Sequence, residues 1–265
     1  RRHTRYPLVT GVQTCALPIS WGGFRIRYIT STEYLLSQPG VVLHYLRLCL
    51  VPWPQCFDWA WPPARTALDV VVPGTPVLAM LALVAVGLAR SLPAAFPGAC
   101  FFLILAPTSS VMPLQDLAWE HRMYLPSAPV IAGVVLGARA IARHAIGRGI
   151  ISGAAVRALG TAAAVLAAAT LGMLTHARNR LYASPSAMWK ATVAVAPHDC
   201  RNLLNLSWAL AGDGDAAGSA AACRACLAID PNDVDCANNL AASLLDLGHD
   251  EDALAIVRHA IALRP

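Results

Sequence analysis

Lysine is almost absent from this chain. Lys190 is the only one, and the rest of its 20 basic residues are arginine, which points to a GC-rich genome and says little about chemistry. Charge of either sign is scarce, at 13% of residues, about half the share usual in soluble domains. With 57% hydrophobic residues and a mean hydropathy of +0.53, the composition lies on the membrane side of ordinary soluble usage. Short catalytic signatures are missing too. There is no zinc-ligand spacing, no serine nucleophile elbow and no glycine-rich phosphate loop, so no local motif announces a reaction class. Cys223 and Cys226 form a C-x-x-C, but inside an expected helix and without a second pair or a histidine at zinc spacing. They read as small buried side chains. A disulfide among Cys200, Cys223, Cys226 and Cys236 stays open if that region lies in an oxidising compartment.

The net charge of +5 overstates how basic the protein is. Arg1-Arg2-His3-Thr4-Arg5 and the run from Val9 to Ile19 can both be translated from the constant arms of a common sequencing-library adapter. Tyr6-Pro7-Leu8 fits the index between them. No apolar core of the ~7–15 residues that a signal peptide requires follows the arginines. Residues 1–19 are therefore set aside as non-native, and native sequence is expected from Ser20 with an upstream part preceding it. Without Arg1, Arg2 and Arg5 the excess falls to about +2, which gives no argument for nucleic acid as a partner.

Four stretches approach the ~20 apolar residues needed to cross a bilayer. There are 20 uncharged residues between Asp69 and Arg90, 25 between Arg90 and Asp116, 16 between Arg122 and Arg139, and 20 between Arg157 and Arg178. Arginines at the ends of the third can snorkel and lengthen it. The connection over 139–157 carries Arg139, Arg143, Arg148 and Arg157 and no acid, so the positive-inside rule assigns it to the cytoplasm. Alternation across four helices within 70–180 then assigns residues 20–69, the loop 107–127 and everything after Leu174 to the opposite side.

Residues 181–265 read as a soluble arm with an internal repeat. Pro197, Pro231 and Pro265 are spaced 34 and 34 apart, the tetratricopeptide (TPR) period. The same shift pairs Asp199 with Asp233, Asn205 with Asn239, Leu206 with Leu240, Leu210 with Leu244, Gly214 with Gly248, Arg224 with Arg258 and Ala228 with Ala262. Units 197–230 and 231–264 each predict a helix, a glycine turn, a second helix and a proline stop, with Asp230-Pro231-Asn232-Asp233 as the punctuation. Ser186–Ala196 predicts one more helix. Since a stable stack wants about three units, the array is expected to continue beyond Pro265.

Two segments hold polar residues that a lipid-facing helix would not keep. In the first, running from Glu33 to Leu48 and on to Trp61, Pro39-Gly40 predicts a helix break. Trp53, Trp59 and Trp61 suit a membrane interface, and Gln38, His44, Tyr45 and Arg47 are candidates for the wall of a lipid-substrate groove. The second runs from Ala106 to Ser127. If it is helical, Asp116, Glu120 and Tyr124 share a face, while His121 and Arg122 bring a titratable ring and a fixed cation to the membrane surface. A guanidinium binds phosphate oxygens through a bidentate fork, and a carboxylate or histidine can orient it or handle a proton.

The strings EYLLSQPGVVLHYLRL and APTSSVMPLQDLAWEHRMYLPS, with repeats appended directly, resemble the transmembrane-and-TPR O-mannosyltransferase-like family of the GT-C superfamily, over residues 28–265. The resemblance implies transfer of a sugar from a polyprenyl-phosphate donor to Ser/Thr of exported proteins, with membrane lipid, the lipid-linked sugar and a protein acceptor held by the repeats as partners and no further cofactor. It implies Glu120, His121, Arg122 and Tyr124 beside the donor phosphate, with Asp116 on the same turn and Gln38, His44 and Arg47 second. The family's catalytic acid belongs to a first outer loop upstream of these residues. The expected architecture is all-α: a multi-pass transmembrane helical bundle followed by a TPR α-solenoid, in a bacterial inner membrane with the arm in the periplasm (the lumen in a eukaryote). Two other readings fit the same residues, a membrane-tethered TPR scaffold without chemistry and an oligosaccharide ligase- or polymerase-like membrane protein.

Overall fold

The computed structural model describes residues 29–110, 112–114 and 116–263, so the adapter-like residues 1–19 lie outside it. Among the described residues the regular structure is helical throughout. Ten α-helices follow one another: α1 Ser31–Leu50, α2 Ala67–Ala89, α3 Phe96–Leu105, α4 Ser127–Gly147, α5 Gly153–Leu181, α6 Pro185–Val195, α7 Cys200–Gly212, α8 Ala216–Ile229, α9 Val234–Asp246 and α10 Asp250–Leu263. They divide into two compact units. The first runs to Pro52 and resumes over Trp61–Gly133, and the second comprises Trp53–Ala60 and Val134–Pro265.

The helices begin where the sequence supplies a side-chain acceptor for an orphan amide. Thr30, Thr66, Ser152, Ser184, Asp199, Asp215 and Asp233 each accept from the amide three residues on. Thr30 with Glu33, and Thr66 with Asp69, complete reciprocal capping boxes.

In the first unit α1 is one unbroken helix of 20 residues that passes straight through Pro39. The break expected at Pro39-Gly40 does not occur. The missing amide of Pro39 and its ring cost a helix interior about 3 kcal/mol. That cost is offset by a continuous buried face of Tyr34, Ser37, Gln38, Val41, Val42, His44 and Tyr45. The indole of Trp61 packs against α1 at Gly40, where a Cβ would stand 3.4 Å from its ring.

Among the described residues three helices are long and apolar enough to cross a membrane, not four: α2, α4 and α5. The stretch between Arg90 and Asp116 instead forms a short 3-10 turn, Pro93–Ala95, and α3, whose 10 residues rise about 15 Å, half a hydrocarbon core. Prolines explain the difference. Pro93 and Pro97 start the turn and the helix, and Pro107 with Thr108, Ser109 and Ser110 ends it. α3 packs closely on α2: a Cβ on Gly98 would fall 2.6 Å from Val84, and one on Gly87 2.6 Å from Ala95.

The arginine-rich connection is also shorter than expected. α4 carries Arg139 and Arg143 to its end at Gly147, and α5 starts at Gly153, so only residues 148–152 are non-helical. Alanine and arginine favour helix, and nothing breaks the run before Gly147. Neither α4 nor α5 has a buried residue, and their Val, Ile and Leu side chains stand exposed along both. Apolar on every side, they are compatible with a membrane protein.

In the second unit, α6 to α10 pack successively. The helix pairs repeat with the sequence: α7 and α9 start 34 residues apart, as do α8 and α10. Gly214 and Gly248 take the same left-handed conformation, φ 82° and 77°. Each is followed by an amide that bonds five residues back, Asp215 to Leu210 and His249 to Leu244, both 2.9 Å. The core interleaves Leu240, Ala241 and Leu244 of α9 with Ala220 and Cys223 of α8 and Ala253 of α10.

Trp53–Ala60 belongs to this second unit, although the sequence groups it with residues 20–69. Asp58 pairs with Arg201 at 2.7 Å, and its carbonyl accepts from Nδ2 of Asn202 at 3.3 Å. Phe57 meets Trp189 edge-on, with centroids 5.3 Å apart, and Arg178 donates to the Gln55 carbonyl at 3.1 Å.

Leu240→Ala should lower the stability of this unit by roughly 2–5 kcal/mol. Leu245→Ala, at an exposed position of the same helix, should stay within ~0.5 kcal/mol. Pulse alkylation of the buried thiols Cys223 and Cys226 against denaturant reads both, and equal losses would contradict the packing described.

Candidate functional site

The polar centre of the first unit forms where α1 meets the irregular segment 106–126. Backbone that follows neither helix nor sheet must find partners for its carbonyls and amides elsewhere. Here α1 supplies them. Tyr34 and Tyr45 lie 11 residues apart, three helical turns, so both face the segment, and both are fully buried. The Tyr34 hydroxyl donates to the Thr108 carbonyl at 2.6 Å. The Tyr45 hydroxyl donates to the Trp119 carbonyl at 3.0 Å and accepts from the Trp119 amide at 2.7 Å, holding one residue by both its backbone groups.

Arg122 closes the segment from its other end. Nη2 donates to the Asp116 carbonyl at 2.6 Å, and Nη1 donates to the Leu117 carbonyl at 3.2 Å and to the Tyr34 hydroxyl at 3.3 Å. These oxygens are all neutral, so the bonds position the guanidinium without cancelling its charge, and they use only part of its five N–H donors. Burial raises both tyrosine hydroxyls above their ordinary pKa, partly offset by the Arg122 charge, so they act as neutral donors.

The carboxylates are arranged differently from the helical expectation. Asp116 lies in non-helical chain, Glu120–Met123 is a single 3-10 turn, and Tyr124 is 84% exposed. A shared helical face of Asp116, Glu120 and Tyr124 therefore does not form. Pro113 and the extended Trp119 keep the chain out of an α-helix until Ser127. The His121 ring sits edge-on to Trp119, 4.7 Å between centroids. Its pKa is lowered by burial and then by Arg122, leaving the imidazole neutral at pH 7.

On α1, Gln38 and His44 share the buried face, while Arg47 is exposed. Gln38 is 2% exposed, and neither atom of its side-chain amide has a hydrogen-bond partner. A buried amide left this way costs about 1–3 kcal/mol, so it marks the position as polar for a reason other than packing. His44 lies 4.8 Å from the Trp61 ring. Beside them is a groove of about 610 Å³ lined by Ser37, Gly40, Trp61, Pro62, Arg65 and Asp69 among others. Ser37 ties its rim, donating to the Glu33 carbonyl and accepting from the Ala64 amide, both 2.7 Å.

Tyr34 and Trp61 were not legible as site residues. The spacing of Tyr34 from Tyr45 was the available signal, but an expected break at Pro39 separated their faces.

Comparison with protein-family models and with curated proteins returns no match to this chain. Its function is therefore argued from the geometry and the repeat.

Burial, with the Arg47 charge second, pushes the His44 pKa down to about 4. The unfolded imidazole takes up a proton below ~6.5, whereas the folded one does so only near 4. Stability should thus be complete above ~6.5, fall as pH drops through that window, and level off below about 4. Thermal melting in detergent should show His44→Gln losing less stability than the parent between about pH 7 and pH 4. Equal losses would remove His44 as the cause.

Proposed function

We propose that this chain is the C-terminal part of a membrane glycosyltransferase of GT-C type, which takes a sugar from a polyprenyl-phosphate donor and delivers it to Ser/Thr of exported proteins. In this reading α6–α10 is a TPR arm that holds the acceptor. The observation that carries it is the Arg122 centre: a half-buried guanidinium, held by neutral oxygens, beside two buried tyrosines. A lipid-linked phosphate at the membrane surface has the complementary charge and the oxygens to take up the remaining N–H groups.

The side of the membrane is argued from the arginines of α4, α5 and their short connection. Arg139, Arg143, Arg148 and Arg157 lie on or near the connection 148–152, which the positive-inside rule assigns to the cytoplasm. The polar segment precedes α4 and the repeats follow α5, so each lies one crossing away, on the export side. Replacing the expected second span by the short α3 leaves this argument unchanged, because it uses only the crossings of α4 and α5. Asp116, Glu120 and the neutral His121 would orient the donor or relay a proton.

A second reading, a membrane-tethered TPR scaffold with no chemistry, is favoured by one fact: two of the three Arg122 bonds go to backbone carbonyls five and six residues earlier, a purely structural use. Binding of polyprenyl phosphate to the full chain in nanodiscs, with uncharged polyprenol as control, separates the two. Arg122→Lys keeps the charge but loses the fork, and should weaken the phosphate lipid at least roughly tenfold while leaving polyprenol unchanged. Undiminished binding by Arg122→Lys, or equal affinity for the two lipids, would sink the donor-site reading.

A further inference from the structure

The C-x-x-C of α8 is divided by the fold. Cys223 faces Ala220, Leu240, Ala241 and Leu244, whereas Cys226, one turn on, packs with Leu203 and Cys236. Around Cys226 gather groups from three helices that no sequence spacing connects. Cys200 opens α7, Asp233 caps α9, and Cys236 lies in the first turn of α9. The Sγ atoms of Cys200 and Cys226 and a carboxylate oxygen of Asp233 all lie within 4.8 Å of one another. We propose that this junction of α7, α8 and α9 binds a thiophilic divalent cation, zinc in the first instance, through Cys200, Cys226 and Asp233.

The geometry is close to what such an ion needs. Metal–sulfur bonds of about 2.3 Å and metal–oxygen bonds of about 2.0–2.2 Å in a tetrahedron put neighbouring donors roughly 3.5–3.8 Å apart. Donors already within 4.8 Å therefore close on an ion by side-chain adjustments of an ångström or less. One oxygen of Asp233 accepts from the Cys236 amide at 2.7 Å, which fixes the carboxylate and leaves its second oxygen for the metal. Cys226 and Cys236 are fully buried, and Cys200 and Asp233 are half-buried, so the cluster has an inner closed side and an outer entry side. Thiolates and a carboxylate together form the donor set of zinc rather than of magnesium or calcium.

The repeat shows that the fold does not require sulfur at these positions. Shifted by 34 residues, Cys200 becomes Val234, Cys226 becomes Ala260, and Cys236 corresponds to Asn202 in the preceding unit. Only Asp233 keeps its type, as Asp199, because both cap a helix. A packing role alone is met elsewhere by valine and alanine. A disulfide would join two of the three sulfurs and leave the third thiol and the carboxylate without a part.

The test uses the full chain in detergent, reduced and then freed of reductant without chelators, titrated with Zn²⁺ or Co²⁺. About one ion should bind per chain, and the Co²⁺ form should show thiolate-to-metal charge-transfer absorption. Cys226→Ser should abolish that absorption and Asp233→Asn, which keeps a good helix cap, should weaken binding at least roughly tenfold. Cys223→Ala should change neither. Because Cys226 is buried, Cys200→Ser at the half-exposed position provides the same reading in a fold that tolerates it. Full binding retained in both Cys200→Ser and Cys226→Ser, absence of sulfur charge transfer, or isolation of a Cys226 disulfide with no metal uptake after reduction would each overturn the proposal.

Discussion

An irregular backbone held against α1 is the constraint on which the first unit depends. The described residues of 106–119 leave carbonyls and amides that no helix ladder satisfies, and such groups are costly away from water. Tyr34, Tyr45 and Arg122 supply the partners, six bonds in all to Thr108, Asp116, Leu117, Trp119 and one another. α1 must then stay helical through Pro39, because a break would turn one tyrosine away from the segment it holds. The chemistry-bearing residues inherit their positions from this arrangement. His121 rests on Trp119 because Tyr45 holds Trp119, and the guanidinium of Arg122 is aimed by the same carbonyls it satisfies.

The second unit is organised by repetition instead. Equivalent aspartates cap α7 and α9, equivalent glycines end α7 and α9, and the leucines between them bury at equivalent positions. Departures from equivalence are then informative. The sulfurs at Cys200, Cys226 and Cys236 are departures, and so is the segment Trp53–Ala60, which docks on the first helices of the array through Asp58, Phe57 and Cys56. That docking occupies Arg201 and Asn202 at the start of α7, so the array does not begin with a bare end.

Much of the fold was legible because it is written in local chemistry. Helix starts followed Thr, Ser and Asp caps, the arm followed a period of 34, and α2, α4 and α5 followed apolar length. Errors arose where a local rule competed with packing. Proline predicted a break in α1, which the buried face of α1 overrode. An uncharged run of 25 residues read as a fourth span, yet its own prolines cut it to the length of α3. In the candidate site, Gln38 and His44 are buried on α1, Arg47 and Tyr124 are exposed, and Tyr34 was not singled out from the sequence.

The sequence by itself determined the all-helical class, the apolar helices and the repeat period, because caps, hydropathy and periodicity act over a turn or a helix length. Tertiary structure alone decided which residues share a site. Tyr34 with Thr108, Tyr45 with Trp119, and Cys200 with Cys226 and Asp233 are brought together across 74, 74 and 26 or more residues. Contacts at that separation depend on how buried faces pack and on which polar groups must be satisfied in the interior, and no spacing along the chain encodes them.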